Sequence, residues 1–367
     1  MKRVGLLLFA FVVAFPFSTR AAFGQEAGSG LDLRATLTAQ TVASNQLTEQ
    51  PRSGSPMILG GRSVIYPTWK INEHWFASGA WQLTTRPYYY WDLSTTGYGA
   101  KGELLQGSLN YARIAHKGSL FVRVGEMSTA FGSFVLRYDD ADNPLVDLPI
   151  EYGYYYSPVS IAAVAGAQVD VTRGKWDARA QFANSSPANP RSIFAHDQYG
   201  NWAGGAGYTI RQGLRIGVSG YRGPYLDRQF AYFFPGEQNP GKLPANAFGV
   251  DGNWTRGHTS VQGEWQKFVL TYSVIPDFRE TAGYAEIKQV LGPRWYVAGR
   301  YGETRSNPGG RMQRMESAGG FRLNRLQLIK ASYELDRYPG GTESNDNTLG
   351  IQFVTTLHRS FGRDSDR

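Results

Sequence analysis

The chain has 367 residues, no cysteine and a formal net charge of +8. The lack of cysteine excludes a disulfide framework and a thiolate metal site. Beyond its first residues, no apolar run is long enough for a transmembrane helix. The 44 glycines and the 14% aromatic content, with an ordinary 18 prolines, argue against a disordered chain. The charge excess is too small to indicate a particular partner, and we expect no nucleic-acid binding.

The N-terminus has the features of an export signal. Lys2 and Arg3 precede an apolar stretch at residues 4–17, and small residues follow at the Ala22-Phe23-Gly24 site. The apolar stretch is shorter than the roughly 20 residues that a membrane-spanning helix needs. We therefore expect residues 1–24 to be a signal peptide that is cleaved after Gly24, and residues 25–367 to form a single β-barrel domain.

Residues 31–40, the first segment after the signal, alternate strictly between apolar and polar side chains. Such alternation predicts a β-strand with one apolar and one polar face. Similar segments recur along the chain. They lie at residues 30–42, 58–70, 74–85, 102–114, 119–128, 160–173, 175–184, 201–211, 213–222, 247–256, 258–267, 281–290, 294–305, 315–324, 326–338 and 347–357.

The connections between these segments alternate between short and long. Turns of one to three residues occur at residues 72–73, 116–118, 174, 212, 257, 291–293 and 324–325. Outer-membrane barrels have short periplasmic turns, long outer loops and an even number of strands. We therefore predict an all-β fold, a transmembrane up-and-down antiparallel β-barrel of about 16 strands, with 14 and 18 as open alternatives.

The composition of each strand face predicts whether that face contacts lipid or water. Trp81 and Leu83 lie on an apolar face that suits lipid, whereas Gln82 and Thr84 lie on the opposite face. Polar and charged side chains on the inner face could not all find partners in a dry core. The sequence therefore predicts a water-filled interior.

The longest connection, residues 129–159, follows the fifth segment and is the third long loop. It is locally acidic, and we expect it to fold into the lumen. Its candidate constriction residues are Arg137, Tyr138, Asp139, Asp140 and Asp142.

Several inward positions of the strands are arginines. This predicted basic wall consists of Arg34, Arg123, Arg179, Arg215, Arg300 and Arg322. A basic wall opposite an acidic loop would set up a transverse field across a narrow lumen. Alternatively, the arginines pair with inward carboxylates as structural struts. The candidate partners are Asp170, Asp177, Asp251, Glu264 and Glu316.

Other motifs favour structural roles. The aromatic cluster that begins at Tyr88 could stack sugars, but barrels place Tyr and Trp in girdles at strand ends, and we favour that interpretation. Trp69, Trp254, Trp265 and Trp295 fit the same girdle. The five histidines show no ligand spacing, and no Ser/His pair indicates a hydrolase. We expect no metal, no cofactor and no catalysed reaction.

Two stretches resemble a known family. RVGEMSTAFGSFVLRYDDADNPL, at residues 123–145, is a strand that runs into a long loop, and GAQVDVTRGKWDARAQFANS, at residues 166–185, is a hairpin with a tight glycine turn. In these stretches the chain is similar to bacterial outer-membrane porins, and most nearly to the superfamily of the phosphate-selective porins O and P. The resemblance implies a passive, trimeric channel in the outer membrane of a Gram-negative cell.

The expected function is passive diffusion of small hydrophilic or ionic solutes through a water-filled barrel that contacts outer-membrane lipid. Two alternatives stay open. One is an anion- or phosphate-selective channel, which a wall of unpaired arginines would favour. The other is a non-conducting structural or adhesive barrel, or an outer-membrane hydrolase.

Overall fold

A computed structural model describes most of the chain behind the predicted signal peptide. The described residues are 29–45, 57–86, 88, 99–133, 139–152, 163–189, 191, 199–226, 243–307, 309–340 and 345–362. The predicted signal peptide, residues 1–24, lies outside them, as do Arg137 and Tyr138 of the candidate constriction loop.

The described residues form sixteen β-strands and a short 3-10 helix, Ile150–Tyr152. The strands are β1 (Gly30–Ser44), β2 (Met57–Lys70), β3 (Trp75–Arg86), β4 (Gly99–Ala115), β5 (Gly118–Met127), β6 (Val164–Arg173), β7 (Trp176–Ala183), β8 (Asn201–Arg211), β9 (Leu214–Pro224), β10 (Pro244–Arg256), β11 (Thr259–Leu270), β12 (Phe278–Val290), β13 (Trp295–Asn307), β14 (Gly310–Arg322), β15 (Gln327–Arg337) and β16 (Asp346–Gly362).

Each strand pairs antiparallel with its neighbours in the chain, and β1 pairs with β16 to close the barrel. The predicted class of a closed up-and-down barrel with sixteen strands is therefore confirmed. The seam extends from Gly30, opposite Gly362, to Ser44, opposite Thr348. The last strand thus reaches past the end predicted from its alternation, because it continues to pair with β1 through Gly362.

Alternation along the strands separates an apolar outer surface from a polar inner one. The side chains of Trp81, Trp176 and Ile216 lie on the outside and are 40%, 62% and 50% exposed. On the inward faces of β3 and β7, Gln82 and Gln181 are 1% and 2% exposed. The outer surface can therefore contact lipid, whereas the inner surface meets water or the polypeptide inside the barrel.

Strand β2 contains a proline, a residue that weakens a strand ladder. In β2, the pairing with β3 passes from Ile65 directly to Thr68, because Pro67 between them has no N–H to donate. On its other side β2 pairs with β1 without a break, including Leu33 opposite Pro67. The proline is therefore accommodated in the wall by an interruption on one side only.

The described residues of the connection between β5 and β6 lie against the inner wall. Phe131, Leu148 and Tyr152 belong to a buried apolar cluster with wall residues that include Tyr221 and Phe268. Part of the barrel interior is therefore filled by packed side chains. In the described part of the chain, no helix has the length and hydropathy that would let it cross a membrane.

Candidate functional site: a charged cavity inside the barrel

The first half of the described loop is fixed to the inner wall by its two aspartates. Asp139 accepts hydrogen bonds from Thr36 Oγ1, at 2.9 Å, and from the Tyr66 hydroxyl. Asp140 accepts one from Thr38 Oγ1 at 2.7 Å and lies 3.3 Å from Arg62 Nη1. These residues come from β1 and β2, so the loop is held against the strands at the barrel seam.

Asp140 is charged in this position although it is buried. Burial alone would raise its pKa, but the charges of Arg62 and Lys330 outweigh that effect and the pKa of Asp140 is lowered. Tyr88 also donates to Asp140, at 3.1 Å, and is 1% exposed. The girdle interpretation is therefore wrong for Tyr88, whose hydroxyl faces the interior.

Lys330 of β15, two strands from β1 across the seam, holds the backbone of the loop. Its Nζ donates to the carbonyl oxygens of Asp140, Asn143 and Leu145 at 2.8, 3.0 and 2.9 Å. The residue is fully buried. An ammonium group that binds three carbonyls satisfies backbone acceptors that would otherwise be desolvated without a partner.

Arg300, in β13, is a second buried cation at the loop. Its guanidinium pairs with Glu286 at 2.7 Å and Glu316 at 3.0 Å, and it donates to Asn143 Oδ1 and the Asp147 carbonyl. Arg300 is 4% exposed. The predicted basic-wall residue Arg300 therefore acts as a buried strut between β12, β14 and the loop.

The far end of the described loop meets β11. Glu264 accepts hydrogen bonds from the Tyr152 hydroxyl at 2.6 Å and from the Ser133 amide at 3.1 Å. The neighbouring Glu151 is fully buried, and burial together with the charge of Glu264 raises the pKa of Glu151 well above its ordinary value. The suggestion that Glu264 pairs with an arginine is not what the structure shows, since its described partners belong to the loop.

Between the loop and the opposite wall lies a cavity of about 610 Å³. Its charged lining consists of four arginines and five aspartates. These are Arg34, Arg123, Arg179, Arg215, Asp139, Asp142, Asp170, Asp177 and Asp251. Carboxylates thus outnumber guanidinium groups, and the cavity has no net positive charge.

Arg215 shows how the cavity stays wide although its wall carries large side chains. Its Nε and Nη2 donate to Asp177 at 2.8 and 2.6 Å, and its Nη1 donates to Asp251 at 2.7 Å. Gly207 and Gly217 stand opposite each other between these aspartates in the register. A Cβ on Gly207 would overlap Arg215 Nη2, so the missing side chain lets the guanidinium lie flat on the wall.

The other three arginines of the cavity are held differently. Arg123 pairs with Asp170 at 2.8 Å. Arg179 donates to the carbonyl of Gly132, which belongs to the loop. Arg34 lies over the ring of Tyr66, with its Cζ 4.5 Å from the ring centroid. The structure therefore brings four of the six predicted wall arginines to one cavity.

The two remaining predicted arginines do not line this cavity. Arg300 is buried behind the loop, and Arg322 is an exposed residue at the end of β14. The arginine–carboxylate pairs that the sequence suggested as an alternative are present for Asp170, Asp177, Asp251 and Glu316.

Sequence reasoning missed the residues that hold the loop most firmly. Arg62, Lys330 and Arg314 are cations on inward faces. Arg314 pairs with Asp147 of the loop at 2.5 Å and with Asp336 at 2.8 Å. Their inward parity was available from the alternation, but nothing in the sequence indicated which inward cations the loop would cover. Among the described residues, no group of three or more His, Asp or Glu side chains could hold a metal ion.

Comparisons with known proteins bear on the fold. The sequence matches no protein-family model and none of the curated proteins. Solved structures do match. An anion-selective porin from Comamonas acidovorans aligns with a TM-score of 0.64 at 10% identity, over 90% of this chain and 100% of that chain.

Two further structures align over similar lengths. OprB of Pseudomonas putida has a TM-score of 0.63 at 11% identity, over 89% of this chain and 94% of that one. The outer membrane protein OmpT of Vibrio cholerae has a TM-score of 0.58 at 12% identity, over 91% of this chain and 99% of that one. At such low identity the likeness concerns the fold, and this chain has the fold of an outer-membrane, porin-like β-barrel.

Proposed function

We propose that the protein is a porin of the outer membrane through which small hydrophilic or ionic solutes diffuse passively. The observation that carries this proposal is a closed barrel whose interior holds a charged cavity beside the loop between β5 and β6. A cavity lined by guanidinium and carboxylate groups favours hydrated polar solutes over apolar ones. No catalysed reaction is part of the proposal.

The pairing of arginines with aspartates on the inner wall supports weak selectivity between cations and anions. Arg123 and Arg215 lie against Asp170, Asp177 and Asp251, so their charges are compensated within the wall. An anion-selective or phosphate-selective channel would need basic groups that face the lumen without nearby carboxylates. The finer resemblance to the phosphate-selective porins O and P therefore receives less support than a general diffusion channel.

Planar bilayers test this function directly. We expect discrete conductance steps after insertion of the refolded protein, and a reversal potential close to zero or slightly cation-selective in a potassium chloride gradient. A strong anion preference, or block of chloride current by phosphate, would support the anion-selective alternative instead. Folded protein that gives no steps would contradict the channel and favour a non-conducting structural or adhesive barrel.

A homotrimer is the assembly that we propose. The apolar outer surface around the seam includes Leu349 and Ile351, which are 48% and 43% exposed, and such a surface can pack against lipid or against a second copy of the chain. Native mass spectrometry in mild detergent should give three times the monomer mass. A mass of one chain at all concentrations would contradict this assembly.

A further inference from the structure

A row of cations crosses four neighbouring strands on the outer surface of the barrel. In the register, Lys267 of β11 stands opposite Thr281 of β12, Thr281 opposite Arg305 of β13, and Arg305 opposite Arg311 of β14. Residues that stand opposite each other in antiparallel strands point to the same face of the sheet. Three of the four members of this row are therefore cations on one face.

The alternation of β13 shows that this face is the outer one. Trp295, Val297 and Tyr301 have the same parity as Arg305 and are 57%, 44% and 41% exposed. The side chains of Arg305 and Arg311 are 62% and 38% exposed. The row therefore faces away from the lumen and has no part in the cavity.

Two more outward cations extend the row. Arg279 is next to it on β12 and has a side chain that is 65% exposed, and Arg337 of β15 stands opposite Gln313, two positions from Arg311. We call Lys267, Arg279, Arg305, Arg311 and Arg337 the outer basic patch. The carboxylates that pair with it in the described residues are Glu303 and Asp277. Five cations and two carboxylates leave a net charge of +3.

Glu303 braces the centre of the patch. Its two oxygens accept from Arg305 Nε at 2.6 Å and Arg311 Nη2 at 2.8 Å, and the Tyr301 hydroxyl donates to it at 2.9 Å. A guanidinium carries five N–H donors. The bonds to Glu303 therefore orient both guanidinium groups and use only one nitrogen of each.

The position of the patch along the strands fixes which leaflet it meets. The patch lies at the end of the barrel that carries the long connection between β5 and β6, although the β13–β14 connection within the patch is only two residues long. The end with the long loops faces the outside in barrels of this kind. After one intervening outward position on each strand (Glu303, Gln313 and Leu335), the outward residues toward the membrane centre are Tyr301, Met315 and Tyr333, each 40–47% exposed. The cations thus lie just beyond an aromatic and apolar band, at the height of the lipid headgroups.

We propose that the outer basic patch binds the phosphate groups of phosphorylated lipid headgroups in the outer leaflet. Arginine forks match phosphate oxygens with two parallel hydrogen bonds, and clustered cations attract anionic lipids. At the seam, by contrast, the outward residues at the same strand ends are uncharged, including Thr41 and Ala43 of β1 and Asn347 of β16. Anionic lipid would therefore be retained at β11 to β15 rather than at the seam.

This inference rests on the outward orientation that the proposed function assumes, but it does not depend on conduction. The test uses the full chain folded in detergent, with lipid A as the probe and dephosphorylated lipid A as its matched control. Retained lipid is counted by native mass spectrometry. We expect the wild type to retain lipid A and not the dephosphorylated form.

The double variant R305Q/R311Q should lose about tenfold or more of its affinity for lipid A. R256Q removes an exposed cation at the last residue of β10, at the end of the barrel away from the patch. This variant should bind lipid A as the wild type does. A second pair, K267Q/R337Q, tests the same patch without touching Glu303, should the first variant fold poorly. Equal retention of both lipid forms, or unchanged affinity in both double variants, would overturn the proposal. The conductance steps of each variant show separately whether the channel is intact.

Discussion

The wall formed by β12 to β16 and the wall formed by β5 to β10 use the same charged residue types in opposite ways. On the first wall, Arg300 and Lys330 are buried beneath the loop, and their partners are buried with them. On the second wall, Arg123 and Arg215 pair with carboxylates that line a cavity. The difference shows that pairing alone does not decide the role of an inward cation. The role of an inward cation depends on whether the loop covers that cation.

The sharpest test of this difference is a pair of arginine substitutions. Arg300→Ala leaves Glu286 and Glu316 buried without their shared cation, which should cost about 3–5 kcal/mol of the free energy of unfolding. Arg123→Ala removes a cation that is 36% exposed, and its cost should be at most about 1 kcal/mol. Urea unfolding in lipid vesicles measures both. Equal losses would mean that the two walls do not differ in the way described.

Substitution of Lys330 tests whether the wall formed by β12 to β16 holds the loop through the backbone of the loop. Lys330→Met keeps the length of the side chain but leaves three buried carbonyls without their donor, and should cost about 3 kcal/mol. Lys175→Met removes an exposed lysine that donates to a single carbonyl, of Ile210, and should change stability by less than about 0.5 kcal/mol. Proteolysis of the loop should increase only in the first variant. A stable, protected loop in Lys330→Met would refute the anchoring role.

Substitution of Gly207 tests how arginines are held on the wall formed by β5 to β10. Gly207→Ala should displace the guanidinium of Arg215 from the wall into the lumen, at a cost of about 1 kcal/mol because the side chain can move. Single-channel conductance should fall, and the reversal potential should move toward anions because the arginine leaves its two aspartates. Gly252→Ala is the control, since the nearest atom to its Cβ is the Arg215 carbonyl oxygen at 3.7 Å. Identical conductance and selectivity in both variants would contradict the interpretation that Gly207 lets the Arg215 guanidinium lie flat on the wall.

Glu151 should make the stability of the packed loop sensitive to pH. Because burial and Glu264 raise the pKa of Glu151 in the folded protein, folding favours its protonated form. That stabilisation is complete below the ordinary glutamate pKa and is lost as the pH rises through the raised pKa. Glu151→Gln should therefore be more stable than the wild type by about 1 kcal/mol at pH about 9, and similar to it at pH about 4. Parallel unfolding curves at both pH values would exclude this role.

Alternation along the chain predicted the sixteen strands, because lipid on one side and a polar interior on the other impose a period of two on every strand. It failed at some strand ends. β14 starts at Gly310, five residues before its predicted start, since its outward residues Arg311 and Gln313 are polar beyond the apolar band. Strand pairing continues there although the hydrophobic signal has stopped.

The site was less predictable than the fold. Inward parity correctly suggested that Arg123 and Arg215 pair with aspartates. It could not show that Arg300 lies behind the loop, because local alternation carries no information about where a long connection returns. The roles of Tyr88 and Glu264 depend on contacts with residues far away in sequence, 52 positions for Tyr88 and Asp140. Only tertiary packing determines such contacts.

The pairing of β1 with β16 has a consequence for biogenesis. Gln40 and Gln352, which hydrogen-bond across the seam, are 312 positions apart in the chain. Until the last strand arrives, the first and the penultimate strands both present unpaired backbone groups, which favour aggregation. The barrel can therefore close only after the whole chain has been synthesised, and both edge strands stay open to wrong pairing until then.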